Sequence, residues 1–348
     1  MTLLLALLLA ADSTIPGMAP APGVPTILQS GVPETPPALR ERAQQFLNTR
    51  SASLMDVADD GSSLLITTRF ASTAQLHVVE APMGMRTQIT FRDEPVNDAH
   101  FAPGDPRTIW YLQDVGGAEF FQIFRLDRRT GRAEMITDGK SRHGSIVLSR
   151  DGKQIAFAGT GRNGKDTDVY LANTASPKDA RRVTSAEGAW EPVEFSRDGK
   201  KLLVKQDRAI SDGDLHELEV ASGAIKQLTP KDSKASVLGA AYAADGVYLV
   251  TDRYADFNQL MKLGAGGKMQ PLAPDLKWDV EQLAVSSDGS RVAFITDEDG
   301  VSKLYTLDAG RAPPARAAAA QRGGRGAQVP QGPAGSAVAL VGNRDAAL

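Results

Sequence analysis

The sequence predicts an all-β protein, a β-propeller built from four-stranded blades. The first observation is a recurring turn glycine, usually in an Asp-Gly pair, followed by a short apolar run rich in strand-forming residues. The second is the interval between these glycines, which is 43 to 48 residues and matches the length of one propeller blade. The glycines concerned are Gly61, Gly104, Gly152, Gly199, Gly246 and Gly289.

The clearest repeat covers residues 190–230, and each of its parts predicts a strand or a turn. The Asp-Gly pair at Gly199 is a tight turn, because glycine takes a positive φ without steric cost. Further on, apolar Leu215 and Leu218 alternate with polar residues, which is the two-residue period of a half-buried strand. The predicted strands are 192–196, 201–206, 214–220 and 225–229.

The same order of elements recurs on both sides of this repeat. Complete copies are predicted in residues 59–90, 101–139, 148–185 and 242–274, whereas the copy in residues 283–310 has only three strands. The sequence therefore predicts about five complete blades and part of a sixth, within a propeller region of residues 38–310.

Composition is compatible with a sizeable core and argues against two classes of function. The chain has 348 residues, of which 42% are hydrophobic and 23% charged. A net charge of -3 lacks the excess of basic residues that marks nucleic-acid binding, so no nucleic-acid partner is predicted. Because the chain has no cysteine, neither disulfides nor thiolate chemistry are expected.

The N-terminal residues differ in composition from the repeats. Residues 1–15 contain the apolar run 3–11, which is too short to span a bilayer and resembles the core of a signal peptide. No lysine or arginine precedes that run, so a short buried strand or a misplaced start codon is the alternative. A periplasmic or secreted protein is predicted in the first case and a cytoplasmic one otherwise. Residues 16–37 predict a proline-rich linker, and residues 38–48 a short helix.

The C-terminal residues 311–348 show no strand alternation and consist mainly of Ala, Arg, Gly, Pro and Gln. One interpretation is a natural disordered tail with a weak RNA-binding Arg-Gly segment. The other is a reading-frame error, because the pattern breaks inside a repeat and GC-rich DNA read out of frame yields mainly these residues. The second interpretation is favoured.

Several stretches resemble the propeller of the prolyl oligopeptidase family of serine peptidases, in particular its dipeptidyl-peptidase-like and acylaminoacyl-peptidase-like members. They are FSRDGKKLLV with the ending LTP, TDRYADFNQLMKL, and WDVEQLAVSSDGSRVAFITDEDGVSKLYTLDAG. The resemblance implies a propeller of usually seven blades that gates peptide access to a C-terminal α/β-hydrolase domain. It also implies peptide substrates for the intact protein. The repeats are similar to those of TolB as well, so a stand-alone periplasmic scaffold that binds protein partners is the alternative.

No residue of this chain is assigned a catalytic, cofactor-binding or metal-binding role. The nucleophile motif Gly-x-Ser-x-Gly is absent, since the nearest approaches place Leu65 and Leu304 where the second glycine belongs. The chain is therefore predicted to be inactive alone. Four histidines are the candidate general bases, and none has a metal-binding spacing: His77, His100, His143 and His216. His77 and His216 are interpreted as strand-surface residues.

Two polar loops and five aromatic residues complete the candidates. The segments 159–164 and 297–300 have a faint resemblance to phosphate and calcium loops, but both are better interpreted as hairpin turns. Trp190 and Trp278 occupy comparable places in two repeats, which predicts packing between blades for both. The remaining three are strand or loop residues, with contact to a hydrolase domain as the alternative: Tyr248, Tyr254 and Phe257.

Overall fold

The computed structural model describes residue 31 and residues 33–310, apart from residues 72, 115, 232 and 233. The predicted signal peptide, most of the linker and the C-terminal tail lie outside the described residues. Helix α1 (Pro37–Leu47) begins one residue before the predicted helix, with a proline in its first turn, where the missing N–H costs nothing. None of its residues is buried, and no helix in the described part of the chain has the length and apolar character needed to cross a membrane.

Six antiparallel sheets follow the helix, and each is one blade. The first blade consists of β1 (Ala52–Val57), β2 (Leu64–Thr68), β3 (Gln75–Val79) and β4 (Thr87–Gln88). The second consists of β5 (Val96–Ala102), β6 (Asp105–Gln113), β7 (Gln122–Asp127) and β8 (Arg132–Met135). The third consists of β9 (His143–Leu148), β10 (Gln154–Gly159), β11 (Asp168–Asn173) and β12 (Arg181–Arg182).

The remaining blades follow the same order along the chain. The fourth consists of β13 (Ala189–Phe195), β14 (Lys201–Ala209), β15 (Asp212–Glu219) and β16 (Ile225–Gln227). The fifth consists of β17 (Gly239–Ala243), β18 (Gly246–Thr251), β19 (Gln259–Leu263) and β20 (Met269–Pro271). The sixth has three strands, β21 (Val280–Val285), β22 (Arg291–Glu298) and β23 (Val301–Asp308). The predicted all-β propeller with five complete blades and part of a sixth is confirmed.

The Asp-Gly turns owe their recurrence to a shared hydrogen-bond pattern. In the third blade the Ser149 hydroxyl donates to the Asp151 carboxylate (2.7 Å) and accepts from the backbone N–H of Gln154 (2.9 Å). The same two contacts occur around Ser196 in the fourth blade and Ser286 in the sixth. Gly152 closes the turn with a φ of +67°, which is why glycine is needed there.

These turns lie at one end of the propeller, called the hairpin end below. The turns of neighbouring blades are joined by hydrogen bonds, which places them at the same end. One example is the bond from the Gln154 side-chain amide to the carbonyl of Gly199 (3.0 Å). Antiparallel pairing then places the connections between second and third strands, and those between blades, at the opposite end. That end is called the loop end.

A threonine after the fourth strand ties each of the first four blades together. In the fourth blade the Thr229 hydroxyl donates to the buried carboxylate of Asp214 (2.6 Å) and accepts from the N–H of Leu215 (3.2 Å). The N–H at the equivalent position of the other blades donates to Thr90, Thr137 and Thr184. This contact explains the threonine in the LTP ending, because its side chain extends the short fourth strand.

We expect Thr229→Val to lower the free energy of unfolding by about 1–3 kcal/mol, because the buried Leu215 N–H and the Asp214 carboxylate both lose a partner. Thr229→Ser keeps the hydroxyl and is the matched control, with a smaller loss. Urea denaturation of the three proteins at one pH measures the difference. Equal losses in the valine and serine variants would contradict the assigned role of the hydroxyl.

Apolar cores fill the spaces between successive blades. Five core clusters join blades one to six in order, with these representative pairs: Leu65 and Phe101, Trp110 and Ile155, Ala156 and Leu202, Leu203 and Leu249, Tyr248 and Phe294. The first strands of consecutive blades pack on one another and so surround the propeller axis. No corresponding core joins the sixth blade to the first within the described residues.

Charged residues converge at the hairpin end near the axis. The Arg150 guanidinium, in the third blade, donates to the carbonyl of Ser287 in the sixth. Glu194, on β13, accepts the backbone N–H of Tyr242 (2.7 Å), which links the fourth and fifth blades. Burial raises the pKa of Glu194 from 4.5 to about 7, although this N–H, Arg150 and Arg197 favour the charged form.

Candidate docking face

The four candidate histidines lie in four different blades and are all buried. His77 on β3 and His216 on β15 were expected at the strand surface, and that expectation is wrong: they are 1% and 6% exposed. The His77 ring lies 5.2 Å from the Phe70 ring, and the His216 ring 4.8 Å from that of Trp190. Burial lowers the pKa of both histidines, so both are neutral at physiological pH.

The repeat explains why these two histidines are buried. They occupy the third-strand position that holds Phe124 in the second blade, Tyr170 in the third and Tyr305 in the sixth. At that position the aromatic residues stack on a partner from the second strand, with ring centroids 5.2 to 5.5 Å apart. The histidine rings therefore fill an aromatic packing site.

The other two histidines are also held by their surroundings. The His100 ring contacts the carboxylate of Asp98 (2.8 Å), and His143 packs edge-on against Phe157 at 5.9 Å. Burial lowers the pKa of His143. Within residues 33–310, outside the four gaps, no three His, Cys, Asp or Glu side chains are grouped so that they could hold a metal ion.

Both polar loops are hairpin turns, as predicted. Glu298 pairs with Val301, so Asp299 and Gly300 are the two turn residues, with φ values of +56° and +76°. The Glu298 carboxylate accepts hydrogen bonds from Thr296, Lys303 and Tyr305, so both of its oxygens already have partners within the protein. The segment 159–164 covers the end of β10 and the first part of its connection to β11, and Gly164, with a φ of +74°, donates its N–H to the carbonyl of Thr160.

Connections at the loop end of the fifth and sixth blades carry three exposed aromatic residues. Tyr254 is 53% exposed, Phe257 37% and Trp278 39%, and nearby Leu238 is 52% exposed. We call these four residues the aromatic patch. The equivalence predicted for the two tryptophans is wrong: Trp190 is buried between blades, whereas Trp278 is in an exposed connection. Tyr248 is 1% exposed and belongs to the core between the fifth and sixth blades.

Hydrogen bonds hold the patch together. The backbone N–H and the side-chain amide of Asn258 both donate to the Asp279 carboxylate (2.7 and 3.0 Å). Phe257 and Trp278 are the residues next to these two, so their backbones are fixed beside each other. Ser236 donates to the Asn258 amide oxygen (3.0 Å), which brings the chain before Leu238 to the same place.

A buried arginine supports the patch from below. The Arg253 side chain, next to Tyr254, is 1% exposed and contacts the Asp214 carboxylate at 3.4 Å. Asp214 also contacts Arg208 and accepts the Thr229 hydroxyl. A buried cation is stable only when it is paired, so this network fixes the loop that carries Tyr254. The patch is thus a rigid apolar surface on a polar support.

Solved structures with the same architecture include peptidases. One, from an analysis of prolyl endopeptidases and the role of inter-domain dynamics in catalysis and specificity, has a TM-score of 0.63 and 15% identity. Another, prolyl oligopeptidase B from Galerina marginata bound to a 35mer hydrolysis and macrocyclization substrate, has a TM-score of 0.61 and 13% identity. The chain is similar to them in fold. Each match covers 78% of this chain but only 43% and 44% of the peptidases, so the chain spans less than half of their length.

Other comparisons add little to this likeness. The structure of TolB from Acinetobacter baumannii matches 78% of this chain and 65% of its own, with 20% identity and a TM-score of 0.48. No protein-family model matches the chain, and no curated protein matches it.

Sequence reasoning identified two of the four patch residues, Tyr254 and Phe257, as contact alternatives and missed the other two. Leu238 follows a polar stretch and gives no motif, and Trp278 looked equivalent to a buried residue. The local sequence could have distinguished the exposed tryptophan from the buried one. Trp278 follows Pro274 and two charged residues, whereas Trp190 is at the start of a regular predicted strand.

Proposed function

We propose that this chain is the gating and substrate-access propeller of a serine peptidase of the prolyl oligopeptidase type. The observation that carries the proposal is the fold likeness to two such peptidases, of which the matched region is less than half. The stretches of sequence that resemble this family support it independently. An exported protein is part of the proposal, because residues 3–11 resemble a signal-peptide core.

In the proposed protein the chemistry belongs to an α/β-hydrolase domain outside residues 1–348. A serine attacks the peptide carbonyl, a histidine accepts its proton, and an aspartate orients that histidine. The propeller binds no reacting atom. It restricts which peptides reach the serine, and the aromatic patch is the surface that contacts the hydrolase domain. An apolar patch of rigid aromatic residues suits such an interdomain contact.

Labelling with a fluorophosphonate tests the proposal, since this probe reacts with activated serine nucleophiles. We expect the product of the complete gene to be labelled and to cleave proline-containing peptides, and a protein of residues 33–310 to be neither labelled nor active. A complete gene product that folds and binds a protein partner without reacting with the probe would contradict the proposal and favour a scaffold.

The patch makes a further prediction for the complete protein. Phe257→Ser combined with Trp278→Ser should change kcat/KM for long peptides by about tenfold or more, because the contact that couples gate and active site is lost. Hydrolysis of a short chromogenic substrate should change less. The matched control is Met83→Ser, a fully exposed residue in the connection between β3 and β4 at the hairpin end, which should change neither rate. Unchanged long-peptide kinetics in the double variant would remove the patch from the domain interface.

A further inference from the structure

A cavity of about 730 Å³ lies at the rim of the propeller, between the second and third blades and away from the aromatic patch. Its volume is within the range of small-molecule sites, roughly 300–1,000 Å³. The stacked rings of Phe157 and Tyr170 line it, with centroids 5.5 Å apart and planes 6° from parallel. Met135 and Ile136 line it from the second blade, and Pro177 from the connection that precedes β12. One wall of the cavity is therefore flat and apolar, while charged residues line the rest.

The two carboxylates that line the cavity, Glu134 and Asp138, already have partners. Glu134 contacts both Arg125 and Lys178 at 2.8 Å, and the Lys178 and Arg125 contacts hold its pKa below the usual range. Asp138 accepts the Ser141 hydroxyl (2.6 Å) and two backbone N–H groups (both 2.9 Å). Glu134 is paired with two cations, whereas Asp138 is held by hydrogen bonds that favour its charged form.

Two arginines of the cavity, Arg92 and Arg132, have no carboxylate partner among the described residues. Arg132, at the start of β8, lines the cavity, and its guanidinium has no ion pair or hydrogen bond with the described residues. The Tyr170 hydroxyl likewise has no hydrogen-bond partner in the described part of the chain, and burial raises its pKa, so it stays protonated and can donate. The free polar groups of the cavity thus favour an anion.

From this arrangement we infer that the rim cavity binds a small apolar carboxylic acid, with its aromatic or branched body on the Phe157 and Tyr170 rings and its carboxylate on Arg132. Guanidinium groups match carboxylates in a two-pronged geometry, and stacked rings favour a flat apolar body. Two sources share this chemistry: a free N-acylated amino acid, and the C-terminal residue of a short peptide. The inference does not depend on the proposed peptidase function.

A second cavity of about 610 Å³ adjoins the first and distinguishes the two sources. Arg132 and Glu134 line both cavities, so the two are neighbours at this pair. The second cavity is also lined by the carboxylates of Asp105, Asp127 and Asp151. A peptide whose free amino group reaches these carboxylates would bind more tightly than an N-acylated amino acid.

Isothermal titration of the full chain tests the inference with N-acetyl-phenylalanine as the probe. We expect binding in roughly the millimolar range or tighter, and about tenfold weaker binding of N-acetyl-phenylalaninamide, which lacks the carboxylate. Arg132→Gln should weaken binding of the acid about tenfold and leave binding of the amide unchanged, whereas Arg132→Lys should retain part of the affinity.

The matched control is Arg129→Gln, because Arg129 is three residues away on the same hairpin, lines neither cavity and is 74% exposed. It should bind the acid as the original chain does. The dipeptide Ala-Phe separates the sources: tighter binding than N-acetyl-phenylalanine identifies a peptide end, and equal or weaker binding identifies the free acid. Equal affinity for acid and amide, an equal effect of the Arg132→Gln and Arg129→Gln variants, or no binding at millimolar concentration would overturn the inference.

Discussion

Trp190→Ala should lower the free energy of unfolding by about 3–5 kcal/mol, one of the two largest effects expected in this chain. Trp190 is 5% exposed and lies in the core between the third and fourth blades, beside the ring of His216. Truncation removes the indole from a space that neighbouring strands cannot fill, because their backbones are fixed by hydrogen bonds on both sides. The loss is therefore the burial energy of the ring plus the cost of a cavity.

Trp278→Ala is the matched control for this prediction, since it makes the same chemical change at a residue that is 39% exposed. Its effect should be less than about 1 kcal/mol. Urea denaturation monitored by far-UV circular dichroism compares both variants with the original chain. Similar losses in the two variants would show that the core between the blades does not dominate stability.

Glu194 should make the chain less stable as the pH rises from about 5 to 8. Its folded pKa of about 7 is above the ordinary 4.5, so between these values the folded state binds more protons than the unfolded state. The contribution of a protonated Glu194 is complete below the ordinary pKa and is lost as the pH passes the folded one. The difference between the two values corresponds to about 3 kcal/mol.

Glu194→Gln should remove this pH dependence and stabilise the chain at pH 8 by up to about 3 kcal/mol. The glutamine oxygen can still accept the N–H of Tyr242, while the charge is absent at every pH. The matched control is Glu191→Gln on the same strand, because the Glu191 side chain is 40% exposed and pairs with Lys205. Unfolding free energies from pH 5 to 8 measure the effect.

The buried histidines contribute a slope of the opposite sign, since burial lowers their pKa and their stabilising neutral form is lost as the pH falls. The difference between each glutamine variant and the original chain cancels their contribution. A Glu194→Gln protein with the same pH profile as the original chain would show that Glu194 is charged and solvated in the folded state.

Local features of this fold were predictable from the sequence because their causes are local. The Asp-Gly turns depend on contacts within six residues, such as those from Ser149 to Gln154, so the repeat reveals them directly. The three-strand sixth copy was evident for the same reason. The burial of residues that a neighbouring blade covers was not predictable. His77 and His216 were assigned to the surface because alternation along one strand does not show which blade covers that strand.

The candidate site was less predictable because it is assembled from separate connections. Phe257 and Trp278 are brought together by the bond between Asn258 and Asp279, and 21 residues separate that pair. Glu194 gave no signal in sequence, since it looks like any polar residue of an alternating strand. Its unusual pKa arises from burial, which outweighs the opposing effect of the N–H of Tyr242, 48 residues away.

The most direct measurement is to resequence the gene from the codon for Ser302 onward and to translate all reading frames. If the chain is a peptidase propeller, one frame will continue with a fourth strand for the sixth blade, a further blade and then Gly-x-Ser-x-Gly in a strand-to-helix turn. A confirmed stop after Leu348 with no such frame would contradict the proposed function and leave a stand-alone propeller that binds protein partners.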